Sequence, residues 1–287
     1  VNRAGRRALM ATSPEVSQDV CLERARSLAG RMLEGGAACT LVAWRIGSQY
    51  DFVAHGLTAQ GDIVVAVRPD EGCMLSTLPA GAGTVVRMDL VRHSHDVMLS
   101  VIAASAHLLG ELVLLPNAAV DRLLSEDQLP ERIAELARIS GTRVGLVVTD
   151  RILVHDHGGV TPIPWEDLLE AQPEVPEVWY DDFEAHDIVA SQGCSALRQV
   201  CRAVIDGRIP GQASVRPSAP GLCGHVLDKV FCIDVDRFGV TLMHIGEHET
   251  ATVFAGFEVP PVTLPALAAQ VTRLVDGSGP VHSQRCI

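Results

Sequence analysis

The segment DVMLSVIAASAHLLGELVLLP, residues 96–116, is the most apolar stretch of the chain and limits its fold more than any other. It is about as long as the ~20 apolar residues a helix needs to cross a bilayer. Its content argues against that use. Ser100, Ser105, His107, Gly110 and Glu111 lie inside it, and a glutamate at mid-membrane depth is costly without a partner. Neither flank carries the Lys/Arg excess that orients a span, although Arg87 and Arg92 lie upstream. Taken as two strands, 97–104 and 107–115, the segment fits the short apolar runs of buried sheet. It then forms the centre of a β-rich core, and no membrane is involved.

The surrounding residues bound the class of protein. A chain of 287 residues supports two domains or one large one. A net charge of −12 offers no basic footprint for nucleic acid. Lys229 is the only lysine, so any Schiff-base chemistry would have to use it. Eight cysteines occur without a C-x-x-C pair, which fits neither a disulfide scaffold nor a zinc ribbon. The basic first residues, VNRAGRRALMATS, lack a continuous apolar core of the signal-peptide kind. The expected location is a reducing cytoplasm.

Along the chain, Ser13-Pro14 reads as a helix start, followed by Val16, Val20, Leu22, Ala25, Leu28, Met32 and Leu33 at helical spacing and closed by Gly35-Gly36. Strand candidates follow at 38–45, 50–57, 62–67 and 83–93. In the last, Val86, Met88 and Leu90 point one way and Val85, Arg87, Asp89 and Val91 the other. Strands without intervening helices predict an antiparallel meander or barrel. Residues 118–139 read as helical. The strands RVGLVVTD and RILVHD come next, then a short helix entered through Pro164. The acidic, proline-rich run at about 173–180 reads as a domain boundary. Beyond it the pattern predicts a helix over 182–206, a Pro/Gly/Ser loop, two or three strands (among LDKVFCIDV, GVTLMHI and ATVFAGF) and a closing helix, LPALAAQVTRLVDG.

This order of elements resembles the FMN-binding split β-barrel of the pyridoxamine 5′-phosphate oxidase superfamily, in particular its haem-utilisation oxygenase-like branch. VRMDLVRHSHDVMLSVIAASAHLLGELVLL and RVGLVVTDRILVHDHGGVTPIPWEDLLEAQPEV carry the likeness in the first half; CIDVDRFGVTLM, FEVPPV and the final helix are similar to the small C-terminal domain often joined to such barrels. Together with the resemblance, the pattern along the chain gives an α+β organisation: a disordered tail over 1–14, a split antiparallel barrel with flanking helices over 15–175, a small α+β domain over 180–276 and a flexible tail over 277–287, the barrel itself being what the resemblance implies. It further implies a homodimer with haem or FMN bound in an interface groove. Arg68, Arg87 and Arg92 would face the phosphate or propionates, although no R-x-x-x-K element accompanies them.

Histidines are the remaining candidates. His93 and His95 would share one side of a strand, a spacing compatible with one metal ion or one anionic ligand. His155 and His157 repeat the spacing; the alternative is that all four are strand-end or turn residues in water. His107 is either a hydrogen-bonded core residue or an axial ligand to haem iron. GAGTVV at 81–86 fails as a dinucleotide fingerprint, and no G-x-S-x-G elbow is present. Two functions follow: a haem- or flavin-binding protein with redox or haem-handling activity, or a cofactor-free barrel serving as a regulatory or protein-interaction module.

Overall fold

The computed structural model describes residues 18–51, 53–96, 99–170 and 182–279. The expected 1–14 tail, the Ser13-Pro14 helix start and the 173–180 boundary lie outside the described residues. The chain forms two compact units. One comprises residues 25–93 and 102–172; the other comprises the chain up to residue 24, residues 94–101 and everything from 173 onward.

In the first unit, the second half of α1 (Gln18–Arg31) supplies Ala25, Leu28 and Ala29, and the turn after it supplies Met32 and Leu33. These apolar residues recur every three or four positions, form one stripe and are all buried. The helix is stopped by Gly35, at φ +102, and by Gly36, where a Cβ would lie 2.6 Å from the Arg31 carbonyl oxygen.

The stripe packs inside a curled antiparallel sheet. Its strands are β1 (Ala38–Ala43), β2 (Ser48–Asp51), β3 (Ala54–Leu57), β4 (Ile63–Val67), β5 (Gly83–His93), β6 (Ile102–Leu114), β7 (Arg143–Thr149), β8 (Arg151–Asp156) and β9 (Gly159–Pro164), in the order β2-β1-β5-β6-β7-β4-β3, with β8 joined to β6 and β9. Alternation along β5 sends Thr84, Val86, Met88, Leu90 and Arg92 inward. Each fully buried Met or Leu of this layer, Met88, Leu90, Leu112 and Leu114 among them, contributes roughly 1.5–3 kcal/mol by leaving water.

The barrel divides along β6. Ser105–His107 pair with β8, whereas Gly110–Leu114 pair with β7. At the fork the Thr149 hydroxyl donates to the Leu109 carbonyl at 2.8 Å. Gly110 is required there, since a Cβ would come within 2.4 Å of the Val148 carbonyl oxygen.

Short helices finish this unit. α2 (Met74–Thr77) has carbonyls at Ser76 and Leu78 that accept from the Arg143 guanidinium. α3 (Asn117–Ser125) and α4 (Glu131–Ala137) bury Val120 and Ile133 against Val64, Ala66 and Val144, and α5 (Trp165–Glu170) follows β9.

The structure corrects several expected boundaries. Residues 96–116 hold one long strand, not two; Val97 and Met98 lie outside the described residues, and β6 starts at Ile102. The expected strand over 50–57 is broken into β2 and β3. β9 was not expected, because Pro162 and Pro164 weaken its strand signal; among the described residues it pairs only with β8, which leaves its other edge tolerant of proline.

The second unit is a four-stranded antiparallel sheet with helices. α6 (Asp182–Ala190) and α7 (Cys194–Ile205) precede β10 (Gly211–Pro217), β11 (Lys229–Asp236), β12 (Gly239–Ile245), β13 (Glu249–Gly256) and α8 (Leu264–Gly277), and the strand order is β10-β13-β12-β11. Leu197, Val200, Val204, Leu242, Val253, Leu267 and Val271 form its core. The helix expected over 182–206 is two helices, separated where Gly193 takes φ +79. The expected Pro/Gly/Ser loop contains β10, an edge strand whose polar Gln212, Ser214 and Arg216 masked it. Ser278, within the stretch read as a flexible tail, is buried, and its carbonyl accepts from Arg208 at 2.9 Å. No described helix is long and apolar enough to cross a membrane.

Candidate functional site

The curl of the sheet leaves β5, β6 and β8 with a face turned away from the core, and the register sets chemistry-bearing side chains side by side on it. Asp89 of β5 is directly opposite His107 of β6, and Ser105, two positions along β6, is opposite His155 of β8. Cross-strand partners project to the same face.

The contacts follow from this register. His107 Nδ1 lies 2.7 Å from Asp89 Oδ1. A carboxylate only accepts, so Nδ1 is the donor in this bond, and in the neutral ring the lone pair is on Nε2. The other Asp89 oxygen accepts from Arg87 Nε at 2.9 Å. The His107 ring meets the His155 ring edge-on, with centroids 5.0 Å apart. The His107 side chain is 40% exposed, so this is an open site. Exposed apolar side chains lie farther along this part of the sheet: Leu109, 63% exposed, is two positions on from His107, Val160 is opposite His155, and Val148, also 63% exposed, is opposite Glu111.

The expected site residues have separate fates. Arg87 and His107 are brought together through Asp89. His107 is on the outer face, not in the core, because inward positions on β6 are taken by Ala104, Ala106 and Leu108. Arg92 points to the opposite side of β5 from Arg87; it is 2% exposed, and its Nη1 donates to the Gly36 carbonyl at 3.0 Å. Arg68 is exposed just past β4. The three arginines therefore do not line one pocket.

His93 ends β5, is exposed, and sits beyond a register shift against β6. His95 lies past the strand end, where its Nε2 is 3.3 Å from Asp182 and its ring packs edge-on against Phe183. The two are not neighbours on one strand face, and no group of three or more metal-ligating side chains occurs among the described residues.

Sequence reasoning missed Asp89 as a site residue, and it weighed His155 only with His157, as a same-side pair or as strand-end or turn residues. Alternation placed Asp89 beside Arg87, but only the β5–β6 register brings it to His107.

The strand pairings decide the architecture: an antiparallel sheet, closed on an apolar helix and forked along one long central strand. This chain is a split β-barrel with a second, small α+β unit. No family model and no curated protein matches it. Solved structures similar to it include a heme binding protein from Mycobacterium smegmatis, with 17% identity over 92% of this chain and 98% of that one and a TM-score of 0.47. A general stress FMN/FAD binding protein from Xanthomonas citri has 14% identity over 46% and 88%, with a TM-score of 0.32. A Clostridium acetobutylicum protein related to general stress protein 26, of the pyridoxinephosphate oxidase family, has 9% identity over 51% and 98%, with a TM-score of 0.34. At these identities the likeness concerns fold alone.

Proposed function

We propose that the outer face of β5, β6 and β8 binds a planar, anionic cofactor, haem in the first place and a flavin in the second, with His107 as the group that meets it. The observation carrying this reading is the Asp89–His107 pair at 2.7 Å on an open, apolar-flanked sheet face. A carboxylate that takes the Nδ1 proton fixes the tautomer, orients the ring and raises the basicity of Nε2, which is how iron-ligating imidazoles are supported. Among the described residues no protein group bonds that Nε2. The donor set therefore fits haem iron.

It fits a flavin phosphate less well, since that dianion needs several converging donors, and Arg87 is the only one of the three expected arginines on this face. Arg87 would hold a propionate, while Leu109, Val148 and Val160 would cover porphyrin edges. Bound haem would supply iron-centred redox chemistry; the chain's own part is to place and polarise the ligand. The same apolar residues suit cover by a second copy of the chain, so a homodimer belongs to the proposal.

Absorption titrations of the purified chain with haemin and, separately, with FMN test it. The expected result is a saturating Soret band, weakened about tenfold or more in His107→Ala. If neither ligand binds, the cofactor reading falls, and exposed Leu109 and Val148 become the footprint of a protein partner.

A further inference from the structure

The outer face of the barrel holds two imidazoles, and a haem uses only one of them. Axial ligands reach haem iron from opposite sides of the porphyrin. His107 and His155 rise from the same face of one sheet, with ring centres 5.0 Å apart and planes at 78°. His155 therefore has no place at the iron that His107 would meet.

Strand register makes this pair. Ser105 and His107 of β6 are opposite His155 and Leu153 of β8, so His155 is diagonal to His107 across the two strands, a separation that ring-sized side chains span. β5 on one side and β9 on the other hold both strands in place. Both rings are partly exposed. Asp89 accepts from His107 Nδ1 at 2.7 Å, which leaves the lone pair of the neutral ring on Nε2. Among the described residues the His155 ring makes no hydrogen bond or ion pair, and its one ring contact is with His107. Either of its nitrogens can turn toward the space beside His107.

The spacing is that of two ligands on one ion. A metal ion sits about 2.0–2.1 Å from an imidazole nitrogen, hence about 3.2 Å from the ring centre, and the ~90–109° between neighbouring ligands sets ring centres about 4.5–5.2 Å apart. The observed 5.0 Å falls within that range. Neutral imidazoles select borderline transition metals over the hard cations Mg²⁺ and Ca²⁺, which take oxygen donors. Asp89 stands behind His107 as the carboxylate that orients a metal-binding ring and raises its basicity. Arg87, the cation on this face, is bonded to the other Asp89 oxygen at 2.9 Å.

We propose that His107 and His155 together chelate one divalent transition-metal ion of the imidazole-binding class, Zn²⁺, Ni²⁺ or Cu²⁺. Each ring gives one nitrogen lone pair, and water fills the remaining positions. Rotation of side chains is enough to align the donors; no strand has to move. The ion and haem share His107 Nε2 and exclude each other, but the metal site does not depend on haem binding.

The test uses the full chain labelled with nitrogen-15 in its histidines, titrated with ZnCl₂ at buffered free Zn²⁺ and followed by NMR of the ring nitrogens. Signals are assigned with His107→Gln and His155→Gln. The expected result is that Nε2 of His107 and one nitrogen of His155 shift with a single midpoint, and that MgCl₂ moves neither. In His155→Gln the His107 midpoint should rise about tenfold or more, because the second contact of a chelate is lost. In Asp89→Asn it should rise about tenfold. Haemin affinity should be unchanged in His155→Gln, so the haem site and the metal site fail separately: a chain that takes up no haemin and still shows the joint shift keeps the metal site. Separate midpoints for the two rings, or a His107 midpoint unchanged in His155→Gln, overturn the proposal. The joint midpoint is read on the parent chain, so this arm is independent of how any variant folds.

Discussion

Arg87 and Arg92 lie on the same strand, and the two faces of β5 put them to opposite uses. Inward, Thr84, Val86, Met88, Leu90 and Arg92 are all buried, and the guanidinium of Arg92 is committed to the Gly36 carbonyl. That bond satisfies backbone just past the end of α1, where the chain has no helical partner to offer. Outward, Arg87 and Asp89 remain within reach of solvent and join His107 and His155. The inner face is filled to satisfy shape and backbone polarity, whereas the outer face keeps groups whose bonding is incomplete. A residue type marks a candidate site only together with the face it occupies.

The comparison is broken most severely from the inside. Met88→Ala removes a side chain with no solvent exposure and should cost about 2–5 kcal/mol, read as a lower urea midpoint at unchanged slope. Arg92→Ala should cost about 2–3 kcal/mol, because the Gly36 carbonyl is left without its donor and the aliphatic stem no longer fills its place. Neither variant should alter haem binding by the protein that remains folded. If Arg92→Ala leaves stability intact and abolishes binding instead, the assignment of the two faces is reversed.

Much of this division could be read from the chain. The β5 alternation was legible, and applied one step further it places Arg92 with Met88 on the inner face. The α1 stripe and α8 were legible for the same reason: a period of 3.6 in apolar residues leaves little freedom. β6 was not, because an unbroken apolar run carries no mark of where its neighbour changes; the fork is recorded in β7, β8 and Gly110. β9 and β10 were hidden by proline and by polar alternation, as edge strands often are. Asp89 and His107 meet only through strand register, which no local pattern encodes.

A smaller effect separates the faces by pH. His55 is buried beside α1, with Nε2 at 2.8 Å from the Met32 carbonyl. Burial pushes its pKa down, against the opposing pull of the Met32 and Val53 carbonyls. The unfolded chain therefore binds the proton more readily. Stability from this group is complete above the unfolded value of about 6.5 and is lost as pH falls below it toward the folded value. Urea midpoints measured on the acid side should fall less steeply in His55→Gln than in the parent. A parallel fall would mean that His55 does not govern the acid response.

The smallest expected change sharpens the comparison most. Arg87 is half exposed and its bond to Asp89 lies at the surface, so Arg87→Ala should shift stability by no more than about 0.5 kcal/mol. On the proposed function it should still weaken haem about two- to fivefold, the worth of one solvent-exposed charge contact, with the Soret maximum in place because His107 and Asp89 are untouched. A stability loss as large as that of Arg92→Ala would show that the outer arginine, too, is part of the frame. Unchanged haem affinity would remove Arg87 from the site and leave the cofactor reading resting on His107 and its carboxylate alone.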